Sequence, residues 1–276
     1  MRKIFLVLTL ALVAITSSFA QVKEGKLIFE RKINMYRMIT DPEMRARIPE
    51  FRTEKFELLF NEQASMFKTI VEEEAPDPFA NSGGGGGGGM RFNFRMPETA
   101  TYTDIPNQMQ YEARSLFEKD FLIVDSLKPI NWKLSEETKT IAKFVCKKAT
   151  TMITPQQMNM RFGGGGGRNR NTTDTAAPAK PKEEELVVWY TESIPVSVGP
   201  DAYAGLPGAI LEVNSSNGGN VITASEFTAK YAAKELKQPT KGDKMNRAQF
   251  AESMKKIIED MQKGGGMGGM RIRMNQ

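Results

Sequence analysis

The chain has 276 residues, with 38 Lys and Arg against 33 Asp and Glu, for a formal net charge of +5. That excess is mild and evenly spread, which excludes the concentrated basic footprint of a nucleic-acid-binding protein. No histidine and a single cysteine are present, which excludes an intramolecular disulfide, histidine-based triads and Cys- or His-based zinc sites.

In chain order, Arg2 and Lys3 precede the apolar run Ile4–Ile15, and Ser18-Phe19-Ala20 sets small residues at −3 and −1 of a cut before Gln21. This pattern predicts a cleavable signal peptide over residues 1–20. A dozen apolar residues fall short of the roughly 20 that cross a bilayer. A lipoprotein needs cysteine at the cut, where Gln21 stands. Losing Arg2 and Lys3 lowers the formal charge from +5 to +3. The expected destination is the periplasm, with no transmembrane segment after cleavage.

Short apolar-patterned runs follow. Lys26–Tyr36 predicts a strand, and Lys55–Phe60 with Ala64–Val71 predicts a hairpin around Asn61-Glu62-Gln63. Phe117–Val124, Trp132–Leu134, Thr140–Lys147, Leu186–Thr191, Ala209–Val213 and Val221–Ala229 continue the series. The fold expected is mainly β: a curved antiparallel sheet or partly open β-barrel, forming a single domain over residues 21–262. Cys146 lies inside one of these runs and reads as a small buried apolar side chain. From Asn246 to Gln262, Phe250, Met254, Ile257, Ile258 and Met261 share one face of a C-terminal amphipathic helix, which is expected to pack on the sheet.

Three glycine runs interrupt this pattern: Gly83–Gly89, Gly163–Gly167 and the five glycines within Gly264–Gly269. Polyglycine loses too much conformational entropy on ordering to fold alone. Flexible insertions are therefore expected at about 76–98 and 154–184, with a flexible tail over 263–276. Each run touches a similar tripeptide: Met90-Arg91-Phe92, Met160-Arg161-Phe162 and Met270-Arg271-Ile272. Three readings compete for this element. One is low-complexity drift in tolerant loops. A second is strand addition to a partner's edge, with apolar and basic residues alternating at period two. The third is soft-metal capture, in which the thioethers of Met158 and Met160, or of Met267, Met270 and Met274, ligate Cu(I); otherwise no cofactor is expected.

Between Asn131 and Val213 a denser set of motifs stands in order. Trp132-Lys133-Leu134 is followed by Cys146-Lys147-Lys148-Ala149, Trp189-Tyr190-Thr191, Ile194-Pro195, Gly199-Pro200 and Gly205-Leu206-Pro207-Gly208-Ala209-Ile210. This set resembles the GLPGLI family of exported Bacteroidetes proteins, with Ala209 where the family name has leucine. The resemblance implies proximity to outer-membrane TonB-dependent receptors and a layout similar to open half-barrel carrier folds; it implies no particular activity. Read physically, Leu206–Ala209 is a type II turn in which Pro207 pre-sets φ and Gly208 supplies a positive φ. Trp132, Trp189, Tyr190, Gly205, Leu206, Pro207 and Gly208 thus form a structural signature, with a binding pocket at that corner as the functional variant.

Glu72-Glu73-Glu74 and Glu183-Glu184-Glu185 read as solvated charge, and Ser193 has no histidine to activate it. The glycine runs lack the Lys-Ser/Thr ending of a phosphate loop. The sequence therefore points away from an enzyme. It points to a periplasmic accessory protein that docks through the Gly–Met–Arg segments onto an outer-membrane β-barrel of the TonB-dependent receptor kind. The alternative is a carrier of an apolar ligand or a soft metal in the curved sheet or the Met-rich loops.

Overall fold

Burial alternates residue by residue over the first six residues of β1 (Gly25–Asn34), with Leu27 and Phe29 fully buried. A strand whose alternate side chains are apolar must lay that face on a core. Eleven more strands follow among the residues described by the computed structural model, which are 22–37, 42–46, 48–70, 99–116, 119–154, 183–201 and 203–263. After a single-turn helix (α1, Pro42–Arg45) come β2 (Phe51–Phe60), β3 (Ala64–Thr69), β4 (Thr99–Asp104), β5 (Met109–Leu116) and β6 (Lys119–Ser126). Next are β7 (Lys133–Ile141), β8 (Phe144–Ile153), β9 (Glu184–Thr191), β10 (Ala209–Ser215), β11 (Asn220–Thr228) and β12 (Asp243–Met245). The long helix α2 spans Arg247–Lys263.

All twelve strands form one open sheet in the order β12-β6-β5-β4-β3-β2-β1-β11-β10-β9-β8-β7. Every pairing is antiparallel except the three-residue β12, which runs parallel to β6 and covers its edge. The other edge, β7, carries exposed Glu136 and Glu137 and a register break between Leu134 and Thr138. Charge and irregularity of this kind discourage edge-to-edge pairing. The mainly β, curved and open architecture is the one expected from the sequence.

Local chemistry explains the boundaries. At the β2–β3 turn, the Asn61 side-chain oxygen accepts from the backbone N–H of Gln63 and Ala64, both at 2.8 Å, so the turn is closed by an Asx motif. At the start of α2, Asn246 and Gln249 form a reciprocal capping box: each side-chain oxygen accepts from the other's backbone N–H, at 2.8 and 2.9 Å. Met245 before the cap and Phe250 one turn later join the same apolar cluster, which fixes the direction in which the helix leaves β12.

The strand boundaries read from the sequence need two corrections. Thr140–Lys147 is not one strand: β7 ends at Ile141 and β8 starts at Phe144, with Ala142 and Lys143 turning at φ of 47° and 73°. Positive φ at both turn positions normally selects Gly, Asn or Asp, so these two residues give no turn signal. Strands β4, β5 and β12 are additions to the expected series, because their inward positions are largely polar or they are short. The helix stands within one residue of its expected limits. Among the described residues no helix is long and apolar enough to cross a membrane.

The core divides in two. The larger cluster joins Leu27 and Phe29 of β1, Phe56, Leu58 and Phe60 of β2, and Phe67 of β3 to the buried faces of β8–β11. The smaller one packs Phe250 of α2 on Phe121 and Ile123 of β6, with Met254 and Ile257 beside them.

Candidate functional site

Between the two clusters the inner face of the sheet turns polar. The cross-strand row Leu58, Phe67, Thr101, Glu112, Ile123 starts and ends apolar and is polar in the middle. On β5 the inward series is Gln110, Glu112 and Arg114, with Gln110 and Glu112 almost completely buried. These residues, with Thr99, Thr101 and Phe67, face a groove of about 390 Å³. The end of β6 and the loop after it, Asp125–Lys128 and Ile130, form one rim. Asp201 and Tyr203 form another, and Arg247 at the first residue of α2 closes the end. This volume lies within the range of about 300–1,000 Å³ typical of small-molecule sites.

Glu112 organises that end. One carboxylate oxygen accepts from the Arg114 guanidinium, and the other accepts from Arg247 at 3.2 Å. Arg247 also donates to the Gln110 side-chain oxygen at 3.3 Å, and the Arg114 guanidinium lies 5.6 Å from the Phe250 ring centroid. At the opposite end Asp201 accepts two bonds from Arg31, at 2.6 and 2.7 Å. Arg31 lies over the Phe56 ring at 4.5 Å, and Phe56 stacks on Phe67 with centroids 5.0 Å apart. Burial, reinforced by the nearby Asp201 carboxylate, pushes the Tyr203 hydroxyl above its ordinary pKa. Both ends of the groove are therefore held by guanidinium–carboxylate pairs with aromatic backing.

The loop between β9 and β10 builds the adjacent wall and contains most of the sequence signature. Ile194, Val196, Val198 and Leu206 are buried and close the larger core like a plug. Backbone bonds from Ala209 to Ile194 and from Ile210 to Val198, at 3.0 and 2.8 Å, tie the plug to β10. The Trp132 indole N–H donates to the Ala204 carbonyl at 2.9 Å, and the Gly205 N–H donates to the Ser197 hydroxyl at 2.7 Å. Tyr190 is buried, whereas Trp189 is half-buried with the Lys139 ammonium 4.4 Å from its ring. Pro207 is exposed.

The expected role of Gly208 is overturned. The positive φ belongs to Gly205, at +92°. Gly208 is required for a different reason: a Cβ placed there would stand 2.0 Å from the Thr191 carbonyl oxygen. The glycine lets the plug lie directly against the end of β9.

Cys146 is fully buried, and burial pushes its thiol up to about 11. A thiol so placed is inert packing, as expected. Ser193 uses its backbone carbonyl to accept from Val22. Met158, Met160, Met267, Met270 and Met274 lie outside the described residues. So do the docking residues Met90, Arg91, Phe92, Arg161, Phe162, Arg271 and Ile272. The sequence reading missed the groove itself. The available signal was the alternation in Met109–Leu116, where Gln, Glu and Arg occupy every second position and an apolar face would normally lie.

Residues 132–212 match the model of a family described as "Protein of unknown function (Porph_ging)". The match runs from Trp132 through β7–β9 into the first half of β10 and includes the whole plug. No curated protein matches the chain. Among solved structures, PNGF-II in its C2 crystal form is 13% identical with a TM-score of 0.50. That match covers 84% of this chain and 33% of PNGF-II, so the chain spans about a third of that protein's length. The P21 form gives 12% identity and a TM-score of 0.49, over 85% and 33%. An uncharacterized conserved protein from Thermus thermophilus is 7% identical with a TM-score of 0.34, over 87% and 99%. The C2 comparison shows a shared sheet architecture.

Proposed function

We propose that the chain is a non-catalytic binding protein of the cell envelope, a member of the GLPGLI group exported to the periplasm, and that it holds its ligand in the groove between the two core clusters. The observation that carries this reading is the inward-facing Gln110, Glu112 and Arg114 in a polar stretch of the sheet face that lies between two apolar ones. Polar groups in such a position disfavour folding unless something needs them there. The same lining favours a polar, oxygen-bearing ligand over an apolar one. Glu112 engages both oxygens with guanidinium groups, an arrangement suited to holding a site in shape rather than to exchanging protons. Docking onto an outer-membrane β-barrel belongs to the same proposal, through Met90-Arg91-Phe92, Met160-Arg161-Phe162 and Met270-Arg271-Ile272.

Native mass spectrometry of the protein purified from its own envelope, without unfolding, tests the reading. The wild type is expected to carry a non-covalent mass that a Thr101→Trp variant, with its groove filled, lacks. Deleting the three Gly–Met–Arg segments is expected to abolish co-purification of a barrel protein. A ligand-free wild type, or a segment-deleted variant that still captures the barrel protein, would overturn it.

A further inference from the structure

We propose that the groove recognises an oxyanion, a carboxylate or a phosphate borne on a small polar molecule, through a donor cluster formed by Gln110, Arg114 and Arg247. The inference rests on the reading of the groove as the binding site and adds the chemistry of what enters it.

At the β5–α2 end two guanidiniums, Arg114 and Arg247, meet one carboxylate, Glu112. Elsewhere on the wall Asp125 and Lys128 offset one another in charge, and Asp201 is engaged by Arg31. One positive charge is therefore left over at the end lined by Arg114, Gln110 and Arg247. A cation is repelled there, and an anion is attracted.

Hydrogen bonding at the same end points to the same class of ligand. Gln110 is 5% exposed and lines the groove. Its Oε1 accepts from Arg247, which fixes the orientation of the amide and makes Nε2 a donor. That Nε2 is buried with no partner, and so is Nε of Arg114. Buried donors are nearly always paired, so two unpaired ones beside one groove mark where an acceptor belongs. An oxyanion supplies acceptor oxygens and the missing negative charge together, and charge-assisted bonds to guanidinium are the strong kind.

Glu112 is then a positioning residue, holding both guanidiniums in place before the ligand arrives. Arg247 stands on the first residue of a capped helix, and its side chain is 41% exposed. It can therefore meet a ligand from solvent while its backbone stays fixed by the Asn246–Gln249 box.

Isothermal titration of the full chain with succinate, inorganic phosphate and the neutral isostere succinamide tests the proposal. Succinate or phosphate is expected to bind one to one, succinamide at least tenfold more weakly, and the preferred anion tells a carboxylate source from a phosphate source. Arg247→Gln and Gln110→Leu should each weaken anion binding at least tenfold, and raising the salt should weaken it in the wild type. Circular dichroism checks that Gln110→Leu folds; Arg247→Gln changes an exposed side chain and keeps the test decisive if it does not. If neither anion binds, or if both variants bind as the wild type does, the proposal is wrong. Should anions fail while Thr101→Trp still loses the native ligand mass, only the oxyanion chemistry falls. Should Thr101→Trp keep that mass as well, the groove reading falls with it.

Discussion

Replacing Gly208 with alanine adds one methyl group at the most crowded backbone contact of the plug. That Cβ would stand 2.0 Å from the Thr191 oxygen and 2.7 Å from its carbonyl carbon, whereas real Cβ atoms stay beyond 3.0 Å. At least 1 Å of backbone movement is therefore needed. Neither side can give easily, because Ala209 pairs with Thr191 in the sheet and its N–H bonds to Ile194 at 3.0 Å. Overpacking of this severity costs about 3 kcal/mol or more. For a domain of this size that lowers Tm by about 6–12 °C. Gly205→Ala is the internal comparison. Its φ is +92°, but the nearest atom to an added Cβ is a tryptophan nitrogen at 3.6 Å. The cost there is left-handed strain of about 1 kcal/mol, or about 2–4 °C. Thermal unfolding of both variants followed by circular dichroism checks the ranking. If Gly205→Ala loses as much stability as Gly208→Ala, close approach is not what holds position 208 to glycine.

Other expectations are equally direct. Burial lifts the Cys146 thiol from an ordinary value near 9 to about 11, so the folded protein holds that proton more tightly than the unfolded chain. This contribution to stability is complete below about pH 9 and is lost as pH rises toward 11. Urea midpoints at pH 8 and pH 11 should therefore fall less in Cys146→Ala than in the wild type, and equal falls would refute it. Asp201→Asn keeps a residue that tolerates the φ of 55° at that position but removes the charge facing Arg31. Arg31 is 13% exposed and Asp201 45%, so the loss should lie between a surface and a buried pair, at about 1–2 kcal/mol by urea denaturation. Trp132→Phe removes the bond to the Ala204 carbonyl and should cost about 1 kcal/mol in the same assay.

The sequence disclosed the parts of the fold whose burial and polarity agree. Helix α2 was legible because Phe250, Met254 and Ile257 recur on one face at helical spacing. The β2–β3 hairpin was legible from two apolar runs around an Asn-led turn, and β9 and β10 from dense apolar residues. Strands β4 and β5 were hidden because Thr99, Thr101, Gln110, Glu112 and Arg114 face inward, against the rule by which apolar faces are located. The candidate site was hidden for the same reason, since the groove is made of these exceptions. Motif order drew attention to Gly205–Ile210 correctly, but the spacing could not say which glycine needs its φ and which needs its missing side chain. That distinction lies in the approach of Thr191, a residue seventeen positions away in the chain.

The place of β1 has a kinetic consequence. It lies between β2 and β11, and the Ser225 hydroxyl donates to the Ile28 carbonyl across 197 residues of sequence. The strand made first therefore waits for one of the last before its second edge is filled. Until then Leu27 and Phe29 can pack against β2 alone. Loop closure over that distance must precede the stabilising contacts, so folding should be slow and its late step should be the docking of β10–β11 onto β1. A chain stopped before β11 leaves one edge of β1 open to other chains. Truncations ending before residue 220 are thus expected to aggregate, whereas loss of the tail beyond Lys263 leaves the β1–β11 closure intact.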